Sequence, residues 1–192
     1  VNAEHGRLSP GIHPITARYG GDPFFTGSSS MILAQSVKAN TSISVSSSSN
    51  PSKFGQTVVF TAITSPSTCT GNILFLDGIS SSAVTLGSSK LESGRSVLTP
   101  ATLGVGTHPI TVSYNGDDNC TAGVSSSANA PATLNQTVGK VDSTVTVLSS
   151  VNPVVFGQFL VLTASISPPS ATGRISLLDA GTTLLNSQVS NG

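Results

Sequence analysis

Gly106-Thr107-His108-Pro109-Ile110-Thr111-Val112-Ser113-Tyr114-Asn115-Gly116-Asp117 decides how this chain is read, because the stretch occurs twice. The earlier copy is Gly11-Ile12-His13-Pro14-Ile15-Thr16-Ala17-Arg18-Tyr19-Gly20-Gly21-Asp22, displaced by 95 residues. A second pair is Asn50-Pro51-Ser52-Lys53-Phe54-Gly55-Gln56 and Asn152-Pro153-Val154-Val155-Phe156-Gly157-Gln158, displaced by 102. In that register Thr70-Gly71 returns as Thr172-Gly173, and Asp77 returns as Asp179. A fixed internal period marks a repeat architecture, in which each unit is one structural module. The histidine unit is the later half of a repeat and the Asn-Pro unit the earlier half. The expected organisation is the later half of a repeat at 1–38, a complete repeat at 39–140, and the earlier half of another at 141–192. Laid end to end, the two terminal halves read as one further repeat.

The local period is that of strands. Val58, Phe60 and Ala62 alternate along one segment and correspond to Leu160, Leu162 and Ala164. Ile73 and Phe75 correspond to Ile175 and Leu177, and Ile43 and Val45 to Val145 and Val147. Alternation of this kind predicts half-buried β-strands with one face toward a core. His108, Ile110, Val112 and Tyr114 share a side, as do His13, Ile15, Ala17 and Tyr19, so both tyrosines are expected on buried faces. Asn50-Pro51, Ser65-Pro66, Asp77-Gly78, Ser93-Gly94 and Asn115-Gly116 supply turn chemistry between the strands. No window reads as a helix. Six to eight short strands per repeat of roughly 95 residues predict antiparallel β-sandwiches.

At this point the series Asn-Pro-x-x-Phe-Gly-Gln, alternating strand, Ser-Pro, Thr-Gly, strand, Asp, then Gly-x-His-x-Ile-Thr-x-x-Tyr-x-Gly-Asp resembles the bacterial immunoglobulin-like repeats of group 3. The resemblance implies an all-β chain of immunoglobulin-like sandwiches in tandem, one complete and one split between the two ends. It also implies a structural or adhesive module of large secreted or surface proteins, usually without catalytic residues. The sequence departs from the family pattern in its His-Pro dipeptide and its two cysteines. Val1 to His5 also makes a poor strand for its slot.

Composition restricts function further. Charged residues are only 8% and the net charge is zero, while 34 serines and 22 threonines supply the polar surface. No basic or acidic block exists for nucleic acid or for electrostatic docking on membranes. No apolar run reaches the roughly 18–20 residues of a membrane-spanning helix. The eight acids form no paired constellation for acid–base work. No Gly-x-Ser-x-Gly elbow or phosphate-cradling glycine loop appears. The expectation is no enzyme and no cofactor.

On the sandwich topology Cys69 lies in the turn between the second and third strands, and Cys120 lies past the histidine strand, at the same end of the domain. Their counterparts in the other copy are Ala171 and Phe25, so both cysteines occur together and are absent together. A disulfide is expected, which places the chain in an oxidising, extracytoplasmic compartment; a free buried pair is the alternative. His13 and His108 share one repeat position and read as a packed structural feature rather than as metal ligands. Asp117-Asp118-Asn119 reads as a tight turn, with a calcium site, which needs six or more oxygens, as the rival. Asn40, Asn119 and Asn135 head glycosylation sequons.

Several outward strand positions are apolar where such repeats usually carry threonine: Val59, Ile63, Leu74 and Leu76, with Phe159, Val161 and Leu178 in the other copy. With almost no charge to repel neighbours, these are candidates for a lateral contact between domains or chains. The expected partners are other copies of the chain or adjacent repeats of a longer one. A half sandwich cannot bury its own apolar face. The chain is therefore expected either to be a window of a covalent array or to assemble head to tail by strand complementation, in both cases building a rod, stalk or filament outside the cell. The alternative function is an adhesive or carbohydrate-binding surface module with a glycan or surface ligand. For that reading Phe24 and Phe25 sit at a loop end, while tryptophan is absent.

Overall fold

In the computed structural model, which describes residues 7–79, 81–100, 102–124 and 133–189, every regular element among the described residues is a strand. The stretch Val1 to His5 lies outside them. The chain divides into two compact units, Val1–Lys140 and Val141–Gly192. The first opens with four short strands, β1 (Gly11–Ile15), β2 (Arg18–Tyr19), β3 (Ser28–Ser29) and β4 (Leu33–Val37). It continues with nine more: β5 (Ser42–Ser47), β6 (Ser52–Lys53), β7 (Phe60–Ser65), β8 (Asn72–Asp77), β9 (Val84–Lys90), β10 (Arg95–Leu98), β11 (Gly106–Tyr114), β12 (Gly123–Val124) and β13 (Leu134–Gly139).

The nine strands from β5 to β13 form a two-sheet sandwich. One sheet has the order β10-β7-β5, and the other β6-β13-β11-β8-β9 with β12 added beside β11. All pairings are antiparallel except β13 with β6. Alternation sends Ile43, Val45, Phe60 and Ala62 inward from the first sheet, and Ile73, Phe75, Ile110, Val112 and Tyr114 inward from the second, into one apolar cluster. Phe60, Phe75, Ile73 and Ile110 are fully buried.

The strands of the second unit are β14 (Thr144–Ser149), β15 (Leu162–Ser167), β16 (Gly173–Asp179) and β17 (Thr182–Val189). The registers of β14, β15 and β16 reproduce the complete sandwich at a displacement of 102, and β17 follows β9 at 98. Thr144 pairs Ser167 as Ser42 pairs Ser65. The bulge at Leu177/Leu178 in β16 repeats the one at Phe75/Leu76 in β8. The β1–β4 hairpin likewise repeats β11–β13: Gly11 opposes Val37 and His13 opposes Gln35, as Gly106 opposes Val138 and His108 opposes Gln136. One strand differs. Residues 110–114 of β11 are held on their far side by β8, whereas the equivalent 15–19 have no such partner in the described pairings, and the strand breaks into β1 and β2.

Pairing without a facing sheet leaves both halves open. Val145 is 54% exposed where Ile43 is 2%. Tyr19 is 45% exposed where Tyr114 is 2%, so the expectation of two buried tyrosines holds for Tyr114 alone. Truncating a fully buried phenylalanine costs about 3–5 kcal/mol. Phe75→Ala is therefore expected to lower the unfolding free energy of the complete sandwich, read from denaturant titration, by that amount, while Phe159→Ala, at a fully exposed position, changes it by less than about 0.5 kcal/mol.

Candidate functional site

The chemistry of the complete sandwich gathers at one end, where the β7–β8 loop meets the β11–β12 loop. Asn115-Gly116 makes the turn. Gly116 sits at φ +81°, and a Cβ there would lie 2.8 Å from the Ala122 nitrogen and 2.9 Å from the Cys120 oxygen, so only glycine fits. The turn aims the Asp117 carboxylate across the loops. Its Oδ1 accepts from the amides of Asn119 and Cys120 at 2.8 and 2.6 Å, and its Oδ2 accepts from the Thr70 amide and hydroxyl at 2.6 and 2.7 Å. The Tyr114 hydroxyl donates to the Thr70 carbonyl at 2.7 Å. Beside this clasp Cys69 and Cys120 form the disulfide, with Cα atoms 5.7 Å apart and both residues buried. Closing a loop of 51 residues stabilises the fold by about 4 kcal/mol on chain-entropy grounds.

Four donors on Asp117 hold its carboxyl well below the usual carboxylate range, the Thr70 hydroxyl contributing most against the cost of burial. Tyr114 is pushed up to about 12, first by burial and then by the Asp117 charge. The same donors occupy the oxygens that a calcium ion would need, so Asp117 works as a loop clasp. Asp118 beside it is exposed.

The clasp also grips the segment leading into the sandwich. The Ala39 amide donates to the Asn119 carbonyl at 2.7 Å and the Thr121 amide to the Ala39 carbonyl at 2.9 Å, so Ala39 bridges Cys120 as a parallel partner. The Thr41 amide donates to the Thr121 hydroxyl, and Lys38 Nζ to the Asp117 carbonyl. The sequence marks Val37-Lys38-Ala39-Asn40 as a short, stiff junction but not its pairing with the Cys120 loop, for which Thr26, at the position of Thr121 in the earlier copy, was a signal.

His108 packs on the second sheet. Its Nδ1 lies 2.6 Å from Asp77 Oδ2 and its Nε2 2.9 Å from the Gly104 carbonyl. Burial opposes the charged ring, but the Asp77 hydrogen bond, the Gly104 carbonyl and the Asp77 charge outweigh it and raise the pKa. Both ring nitrogens are engaged, leaving neither free to serve as a base. At the far end Gln136 is fully buried: its Oε1 accepts from the Ser47 hydroxyl at 2.6 Å, and its Nε2 donates to the Ser49 carbonyl and the Ser52 hydroxyl. The Asn50 side chain brackets β13, donating to the Asn135 carbonyl and accepting from the Thr137 amide. Sequence reasoning missed Gln136 too; its signal was Gln35 in the equivalent place.

The apolar outward positions of the complete domain divide between its two sheets. Ile63 lies on β7, and Val59 on the segment leading into it, whereas Leu74 and Leu76 lie on β8 of the other sheet. The outward faces of the two sheets point in opposite directions, so Ile63 and Leu74 cannot share a contact. Alternation assigns a residue to a face but does not say which sheet its strand joins. In the second unit Phe159, Val161 and Leu178 are exposed.

Thr70, Asp117, His108 and Gln136 all spend their polar atoms on the frame itself. That, with the strand order, defines a disulfide-stapled immunoglobulin-like domain. Residues 45–139 match the family model of the bacterial Ig-like domain (group 3), and this segment belongs to that family. Such domains are generally non-enzymatic structural modules and usually occur in surface or extracellular proteins. No curated protein and no solved structure matches the chain significantly. Among the described residues no helix is long and apolar enough to cross a membrane.

The two titrating groups act in opposite directions. The lowered pKa of Asp117 stabilises the fold above the unfolded value of about 3.9 and is lost as pH falls through the folded one. The raised pKa of His108 stabilises fully below about 6.5 and is lost as pH rises through its folded value. Asp117→Asn is expected to flatten the acid limb of a thermal-melt profile, and His108→Gln the limb above pH 6.5, each leaving the other limb in place.

Proposed function

We propose that this chain is an extracellular structural module, a run of immunoglobulin-like domains that serves mechanical reach or attachment at a cell surface. The observation that supports it best is the clasped junction. Ala39 is paired between Asn119 and Thr121, in a loop that Asp117 and the Cys69–Cys120 disulfide hold against the β7–β8 loop. A segment built into the strand pairing of the following domain resists bending, as a load-bearing array requires, whereas a free linker of small residues would flex. A buried disulfide suits an oxidising compartment outside the cytoplasm. Contacts made by hydroxyls and amides rather than by ion pairs keep such an array tolerant of changing salt.

The carbohydrate-binding alternative depends on Phe24 and Phe25 as a stacking surface. Phe25 occupies the place of Cys120, a position that the complete domain covers, so its exposure follows from the half-domain being open.

Protease shaving of intact cells that express the parent protein is expected to release peptides of this chain, with the Cys69 and Cys120 peptides linked. Release only after lysis, with both thiols open to alkylation, overturns the reading.

A further inference from the structure

Five polar side chains at the clasped end of the complete domain take no part in its frame. No hydrogen bond among the described residues uses the side chain of Asn40, Ser42, Ser65, Thr68 or Asn119. All five line one cleft of about 520 Å³. Clefts that hold small ligands span roughly 300–1,000 Å³. We propose that this cleft binds a short neutral saccharide.

The five groups come from three separate backbone segments, and each segment is tied to another. Ser42 and Ser65 oppose each other across the β5–β7 ladder. The Cys69–Cys120 disulfide joins the β7–β8 loop, which carries Thr68, to the loop that carries Asn119. Ala39, next to Asn40, donates its amide to the Asn119 carbonyl and accepts from the Thr121 amide. The polar groups are thereby positioned before any ligand arrives, and a site built in advance loses less conformational freedom on binding.

The lining selects the ligand. Each carboxamide offers two donors and an acceptor, and each hydroxyl both donates and accepts. No residue lining the cleft is charged. Lys38, in the same segment as Asn40, spends its Nζ on the Asp117 carbonyl. A phosphate or carboxylate ligand therefore meets no counter-charge in the cleft, whereas sugar hydroxyls, which also donate and accept, find matching partners. Pro66 and, from the preceding half-repeat, Pro10 add apolar wall for the C–H face of a sugar ring. The cleft does not use Phe24 or Phe25, and its five polar residues are exposed, so an extended chain of sugars can enter from solvent.

Isotope-labelled full chain is titrated with cellotriose, maltotriose and mannotriose in turn, with trigalacturonate as the anionic comparison, and the side-chain carboxamide signals are followed by NMR. At least one neutral trisaccharide is expected to shift the Asn40 and Asn119 carboxamide signals in a saturable way, and trigalacturonate to leave them in place. Asn40→Ala and Asn119→Ala remove no hydrogen bond of the frame, so each is expected to leave the thermal melt unchanged while weakening the binding by about three- to tenfold. No shift with any of the three neutral sugars, or saturable shifts confined to residues outside the cleft, overturns the proposal. An equal response to trigalacturonate overturns its neutral chemistry. Protease shaving of cells reads none of these outcomes, so the structural reading stands or falls separately.

Discussion

A sheet with one apolar face needs a second sheet over it, and in this molecule that cover comes from distant sequence. Phe60 and Ala62 arrive early in the repeat, and Ile110, Val112 and Tyr114 some fifty residues later, yet they form one cluster. The early and late halves are each paired internally as hairpins, but β10, β11 and β13 of the late half also pair across to β7, β8 and β6 of the early one. Neither half covers its own apolar face. Among the described residues, none of 7–38 or of 141–189 is buried. The seam between the halves accordingly carries both the core and the polar contacts that align it: the Asp117 clasp and disulfide at one end, His108 on Asp77 along the sheet, and Gln136 with Asn50 at the other end.

This division explains what could be read from sequence. The strand class, the buried faces and the partnership of Cys69 with Cys120 were legible, because alternation and the comparison of two copies report on them directly. The inward path of Ile43, Phe60, Ile73 and Ile110 follows from period two alone. Sheet membership was not legible. Val59 and Ile63 look adjacent to Leu74 and Leu76 along the chain, but a crossover places them on opposite sides of the sandwich. The exposure of Tyr19 was hidden for a related reason: its pattern is that of a buried residue, and only the missing cover makes it open. Gln136 and Thr121 were overlooked because uncharged polar residues at strand ends give no periodic signal, although their counterparts Gln35 and Thr26 mark them once the copies are aligned.

The sparse charge also takes on a physical meaning. The seam is aligned largely by hydroxyls, amides and one carboxylate that accepts four hydrogen bonds, with His108 and Asp77 as an ionisable pair. Serine and threonine supply short donors that reach neighbouring backbone at little cost in side-chain entropy, and a surface coated with them neither repels nor orients approaching copies.

Amide hydrogen exchange along the purified full chain tests the central claim most directly. The account predicts strong protection of β7, β8 and β11, whose inward faces are covered, and weak protection of β1, β4, β14 and β15, whose faces are not. Protection of the latter strands equal to that of the complete domain would contradict it.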